Sequence, residues 1–376
     1  MKNLRLLFLL SLILISCNDE VIVNNDYYLQ VPESASEPHI GDHIEDISVA
    51  KWFNNHTAAI TLTYDASIGN ISRTMLAVDA VIERDMIMDL EMVTAKYSEP
   101  ENAHYLDFIR DEMIPKGIGF FGHGHEHINH DELGYKDAYN SFSLCYELMS
   151  NWGLNPVTYA YPHARGYKGT TQLAVKRAGF IAARGYTLDE DEFLICPNEK
   201  TEPENWFYLP CVGMAKEYEY WVQSNTELTP HLQRAVDNTA WIMLMYHSVG
   251  MPEVSGYYDL DEFETDLETI KSMDFWCDHM DNITLYIYEK NSFYYLTEYM
   301  GVSGDKTRYR ITFGDGFAEE IYSQPLTINL SFKDDYKFST LEMNPSAESG
   351  RLYSIENNKV SINVIPDETT YDIFLY

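Results

Sequence analysis

The sequence predicts an α/β fold, a distorted (β/α) barrel, followed by a C-terminal all-β, sandwich-like domain. Three observations carry that reading. From about residue 51 to 300, short β-favouring apolar runs alternate with stretches of helical periodicity, the pattern of a mostly parallel sheet or barrel. After about 300 the helical periodicity stops, and short alternating segments separated by turn residues take over. Polar, chemically capable residues stand just after the apolar runs, where barrels and open α/β sheets build their sites.

The chain has 376 residues, enough for two domains and a sizeable core, and its 45% apolar content is that of a globular protein. A net charge of -33 repels phosphate backbones, which excludes nucleic acid as a partner and argues against docking on anionic lipid through a basic face. The 29 Tyr and 6 Trp are rich in rings of the kind that stack on sugar faces, although core packing accounts for most of them.

Taken in order, residues 1–17 read as a lipoprotein signal peptide. Lys2 and Arg5 precede an apolar run from Leu6 to Ile15 that is too short to span a bilayer. Leu14-Ile15-Ser16-Cys17 resembles a bacterial lipobox, with Cys17 as the site of lipid attachment. The expectation is an exported lipoprotein held to the membrane only by lipid, in the outer membrane and facing the periplasm or the surface. Residues 18–50, broken by Pro32 and Pro38, read as a tether and lead-in. Residues 51–300 carry the strand runs Ala58–Tyr64, 117–121, 156–161, 179–183 and Trp241–Tyr246, with helices over 137–152 and 261–273. Residues 301–376 carry β segments such as 326–331 and 360–365. Cys145, Cys196, Cys211 and Cys277 form no zinc-thiolate pattern, but in an oxidising compartment Cys196 and Cys211 could pair across a loop.

Asp65 follows the first run, His123 to His130 the second, Tyr161-Pro162-His163 the third, Arg184 the fourth and His247 the fifth. Four His in eight residues, at 123, 125, 127 and 130, is metal-ligand composition. His123 and His127, at i and i+4, would share one face of a helical turn, and an extended segment would align 123, 125 and 127 instead.

The ordered set resembles the polysaccharide deacetylase domain (NodB-homology, carbohydrate esterase family 4) over about residues 51 to 295. Thr63-Tyr64-Asp65-Ala66 stands in place of Thr-Phe-Asp-Asp, His123-Gly124-His125-Glu126-His127 in place of His-(Ser/Thr)-x-x-His, Tyr161-Pro162 at the end of the third motif, and Met245-Tyr246-His247 in place of Leu-x-His. The resemblance implies the NodB-type barrel and a divalent metal, zinc with cobalt or nickel as substitutes, on His123 and His127. It also implies Asp65 as the base that takes a proton from water, His247 as the acid for the leaving group, and a substrate-binding role for Tyr161 and Pro162, with the Tyr161 backbone N–H on the oxyanion. The family's Arg is missing from its usual place, where Thr158 stands. Its role passes to Arg184, or to Arg165 as a substitute.

Ala66 occupies the position of the family's metal-binding carboxylate and cannot ligate. Either two His and water hold the metal, or His125, Glu126 or His130 supplies a third ligand, or the metal is lost. The expected function is therefore metal-dependent removal of acetyl groups from an acetylated glycan, by N- or O-deacetylation. The alternative is a non-catalytic carbohydrate-binding surface lipoprotein. For the C-terminal domain, exposed aromatics in a row would indicate sugar binding and buried ones a packing role.

Overall fold

The computed structural model describes residues 43–65, 71–345, 353–356 and 358–376. Cys17, Ala66 and most of the tether lie outside the described residues. Among those described, no helix is long and apolar enough to cross a membrane.

The first strand, β1 (Ile44–Val49), falls within what the sequence suggested was a lead-in. The correction has a physical cause. A bulge between Ile44 and Asp46 leaves the two buried residues, Ile44 and Ile47, three apart, so the period of two that would mark a strand is broken. β2 (Ala58–Tyr64) is buried at every position, as expected of a strand with neighbours on both edges and layers on both faces. It pairs in parallel with β3 (Met88–Met92) at its C-terminal half and with β8 (Trp241–Tyr246) along its other edge.

Helix α1 (Ile71–Ile82) joins β2 to β3, and two short helices, α2 (Thr94–Ser98) and α3 (His104–Phe108), lead towards β4 (Ile118–Gly122). Next come α4 (Tyr135–Asn151), β5 (Thr158–Ala160), α5 (Gly169–Arg177) and β6 (Ala182–Arg184). The order β6-β5-β4-β3-β2-β8 is completed by β7 (Val212–Gly213) beside β8. Leu209, just before β7, bridges in parallel to Arg184, so one short segment spans from β6 round to β8 and closes the barrel. Strands of two or three residues on this side, against six or seven at β8 and β2, make the barrel distorted.

The remaining elements are α6 (Asn225–Asp237), the short parallel pair β9 (Ser248–Val249) and β10 (Tyr257–Tyr258), α7 (Leu260–Ser272), β11 (Phe275–Cys277) and α8 (Met280–Ser292). β11 pairs with the N-terminal half of β2. The backbone N–H at the start of α8 donates to Asp89, and His279 pairs with the same carboxylate at 2.6 Å, which plugs the bottom of the barrel. A Cβ at Gly119 would fall 2.1 Å from that carboxylate, so glycine is required there.

Alternation along the strands separates two cores. Ile60, Leu62, Tyr64, Ile242 and Leu244 pack with the helices, whereas Ala59, Phe121, Trp241, Met243 and Met245 belong to a second cluster. That second cluster is continuous with the β-sandwich. One sheet has the order β1-β14-β17-β16, with β14 (Leu326–Phe332), β16 (Tyr353–Glu356) and β17 (Lys359–Val364). The other has the order β12-β13-β18-β15, with β12 (Tyr294–Ser303), β13 (Lys306–Gly314), β15 (Leu341–Asn344) and β18 (Asp367–Leu375). The β texture thus begins at Tyr294, directly after α8, rather than at 301, and the N-terminal β1 completes a C-terminal sheet. Tyr309, Phe313 and Tyr371 are buried between the sheets, which answers the sandwich question in favour of packing for these rings.

Candidate functional site

The polar residues that follow the strands meet at the C-terminal mouth of the barrel, around a cavity of about 570 Å³. β2 and β8 run in register, Tyr64 beside Tyr246, so Asp65 and His247 leave adjacent strand ends. The Asp65 N–H donates to the Tyr246 carbonyl at 2.9 Å, which fixes the strand exit.

Asp65 is 8% exposed, and Arg184, the last residue of β6, is 2% exposed. One guanidinium nitrogen of Arg184 donates to both Asp65 oxygens, at 2.8 and 2.6 Å. The other donates to the Thr63 hydroxyl at 2.7 Å, and the guanidinium lies 5.2 Å from the centre of the Phe121 ring. Burial alone would raise the Asp65 pKa, but the charges of Arg184 and the hydrogen bonds from it overcome burial and hold the carboxyl below its usual range. Arg184 thus stands where an orienting arginine is needed. Arg165 is exposed and packs near Tyr167 instead.

His123 follows β4 and is fully enclosed. Its Nδ1–H donates to the Ala160 carbonyl at 2.9 Å, leaving the Nε2 lone pair facing the cavity. Burial pushes its pKa down to about 3, so the ring is neutral at any physiological pH. The chain then turns at Gly124, with φ of +91°, and a Cβ there would sit 2.7 Å from the Glu126 carbonyl. This turn replaces the helical or extended geometry expected from the spacing. It folds His127 back so that its ring centre is 5.1 Å from that of His123. His127 is exposed along one edge, but partial burial, and then the neighbouring His163, lower its pKa to about 4.

The third candidate ligand comes from elsewhere than the histidine loop. His125 is turned to the Thr94 hydroxyl at 3.1 Å, Glu126 is exposed, and His130 is buried on Phe142 with Nε2 on the Ser141 hydroxyl at 2.9 Å. Glu91 of β3 reaches the site instead, its carboxylate 3.2 Å from His123 Nε2. Among the described residues, donor atoms of Glu91, His123 and His127 lie within 4.8 Å of one another. Burial, and then the charge of Asp65, push Glu91 up to about 8. A buried acid at the Nε2 lone pair of His123, with the neutral imidazole of His127 beside it, is a donor set that suits a divalent cation such as zinc, cobalt or nickel. Its signal was legible in Met88-Asp89-Leu90-Glu91-Met92, where two acids alternate with apolar residues on a strand and so face the barrel interior.

The structure corrects the roles given to Tyr161 and Pro162. The Tyr161 N–H donates to the Arg184 carbonyl at 3.1 Å, so it is engaged in the sheet, and its hydroxyl donates to the Phe207 carbonyl at 3.1 Å. Both residues are buried beneath the cavity wall. The next residue, His163, lines the cavity instead. Its φ of +59° and that of Ala164, +52°, are left-handed values that a side chain resists, and they aim the imidazole to within 4.5 Å of the His127 ring centre.

His247 is half-buried on the other side of Asp65. Burial lowers its pKa, a shift that the charge of Asp65 partly offsets. The far wall is a segment that sequence reasoning missed, Glu217 to Trp221. The four described cysteines are free thiols, so Cys196 and Cys211 do not pair. Cys211 faces the Gly185 carbonyl, at 3.3 Å.

No family model and no curated protein matches this sequence. Solved structures do show similarity. One is a family 4 carbohydrate esterase from Streptomyces lividans in complex with acetate, at 13% identity and a TM-score of 0.39, covering 61% of this chain and 95% of that one. A second is a Mycobacterium smegmatis protein described as a polysaccharide deacetylase, at 13% identity and a TM-score of 0.47, covering 66% and 96%. A third, from Bacillus anthracis, is a pseudoenzyme of the same esterase family, at 9% identity and a TM-score of 0.40, covering 60% and 65%.

Proposed function

We propose that the chain is a cation-dependent hydrolase that removes acetyl groups, from nitrogen or oxygen, from a saccharide. The observation that supports this most is the convergence of Glu91, His123 and His127 beside the Asp65–Arg184 pair. A divalent cation held by those three residues would polarise the acetyl carbonyl, steady the charge that builds on its oxygen and make a water more acidic.

The chain's own residues account for the proton transfers. Arg184 keeps Asp65 ionised and aimed, so Asp65 is the base that accepts a proton from the attacking water. His247 enters the reaction neutral, given its lowered pKa, takes up the proton that neighbouring Asp65 has accepted from the water, and delivers it to the leaving nitrogen or oxygen. Glu91 takes over the ligand role that Ala66 cannot perform.

Calorimetric titration of the purified chain with zinc tests this reading, together with acetate release from acetylated oligosaccharides. Glu91→Gln and His123→Ala are expected to weaken zinc binding at least about tenfold, whereas His125→Ala leaves it unchanged. Zinc binding that ignores Glu91→Gln would remove Glu91 from the site. Saccharide binding without zinc binding or acetate release would leave a carbohydrate-binding protein.

A further inference from the structure

The far wall of the cavity is built more firmly than a surface loop. Ala215 N–H donates to the Val222 carbonyl, at 3.1 Å, and Val222 N–H to the Gly213 carbonyl, at 3.0 Å, so residues 215–222 form a closed strap. Lys216 pairs with Asp259, Glu217 accepts from the Gly256 N–H, and the Tyr218 hydroxyl meets that of Ser255. Trp221 lies on Gly213, where a Cβ would fall 2.5 Å from the indole. Its ring centre is 4.8 Å from that of Tyr218 and 5.5 Å from that of Tyr186, and Tyr220 is 75% exposed at the rim. Rings held in place this way stack on the C–H faces of sugars at little entropic cost.

The charges of the cavity lining are one-sided. Its acids are Asp65, Glu217 and Glu219, and among the described residues no Lys or Arg lines it. Asp65 is neutralised by Arg184 beneath it, and Glu91 would offset one of the two charges of a divalent cation. Glu217 and Glu219, exposed on the strap, outweigh the one positive charge then left and give the rim a net negative charge, on a chain of net charge -33.

We infer that the cleft selects an uncharged acetylated glycan, stacked on the strap rings, and rejects chains whose sugars carry carboxylates. This rests on the deacetylase reading but is tested apart from it. The probes are β-1,4-linked N-acetylglucosamine tetramers carrying O6-hydroxyethyl or O6-carboxymethyl ethers, close in shape and different in charge. Binding to the zinc-loaded full chain is read from tryptophan fluorescence in the first second after mixing, and acetate release is measured separately.

At low salt the neutral probe is expected to bind about fivefold more tightly, with the gap closing in 1 M salt. Glu219→Gln narrows the gap without changing binding of the neutral probe, and Tyr220→Ala weakens both probes about fivefold. Equal binding at low salt, a gap that salt does not close, a gap untouched by Glu219→Gln, or no binding of either probe overturns the inference. A salt-sensitive gap without acetate release would sink the deacetylase reading and leave the selectivity standing. Acetate release without a gap would do the reverse.

Discussion

Asp65 and Arg184 are each more than nine-tenths buried, and each is the other's counter-charge. A pair in that setting is costly to break, because the survivor is left charged with little water around it. Arg184→Met should therefore lower stability by about 3–5 kcal/mol in urea denaturation. The double variant Asp65→Asn with Arg184→Met, which leaves neither charge behind, should recover most of that loss. Acetate release should stay at least about a hundredfold down in both, since neither retains an oriented base. If the double variant is no more stable than the single one, the pair is not what holds this corner of the barrel together.

At the scale of elements, the loop from His123 to His130 depends on its one left-handed turn. Gly124→Ala would strain the backbone and drive a methyl towards the Glu126 carbonyl, so we expect a loss of about 1–2 kcal/mol. Zinc affinity should fall at least tenfold, because His127 would no longer fold back towards His123. Gly169→Ala, at a helix start with nothing within 4 Å, should change neither in calorimetry or thermal melting. This loop also shows what could be read from the sequence. Ala58–Tyr64 and Trp241–Tyr246 were legible to the residue because each is an unbroken run of apolar or β-branched residues. Asp65, His123, Arg184 and His247 were legible as well, since a polar residue at or just after the end of a buried strand has little choice of position. The histidine loop gave its ligand types but hid its geometry, because the spacing of four mimicked a helix that Gly124 breaks. Glu91 was passed over because it lies inside a strand rather than after one. Tyr161 was misassigned because a motif names a residue without saying which of its groups the sheet already uses. The strap from Glu217 to Trp221 carries no periodicity at all, and its position depends on contacts with residues about 40 positions away.

Among the described residues of the whole molecule, several carboxyls are withdrawn from water far enough to hold their protons. Burial pushes Glu289 up to about 9, and Asp266 and Asp281 up to about 6. An acid whose pKa is higher in the folded chain than in the unfolded one binds more protons when folded, so folding weakens as pH rises through that window. The window runs from about 4 to 6 for the two Asp and extends to about 9 for Glu289. Histidines with lowered pKa values, His123 and His127 among them, act in the opposite sense below about pH 6.5, so the test is a difference between chains. Between pH 5 and pH 8 the wild type should lose at least about 1 kcal/mol of stability in urea relative to Glu289→Gln, and a constant difference would show that Glu289 does not titrate in this range. The sandwich carries a different consequence, one of timing. β1 finds its partner β14 only after the chain has grown from Ile44 to Leu326, 282 positions further on. At about 5–20 residues per second, the ribosome leaves this strand waiting for roughly 15–55 s. Over that interval it is a nascent edge that any other β-segment could capture. Glu45 and Asp46 at its bulge put two carboxylates on that edge, so the segment that blurred its own signature in the sequence is also poorly suited to pairing with strangers while the rest of the chain is synthesised.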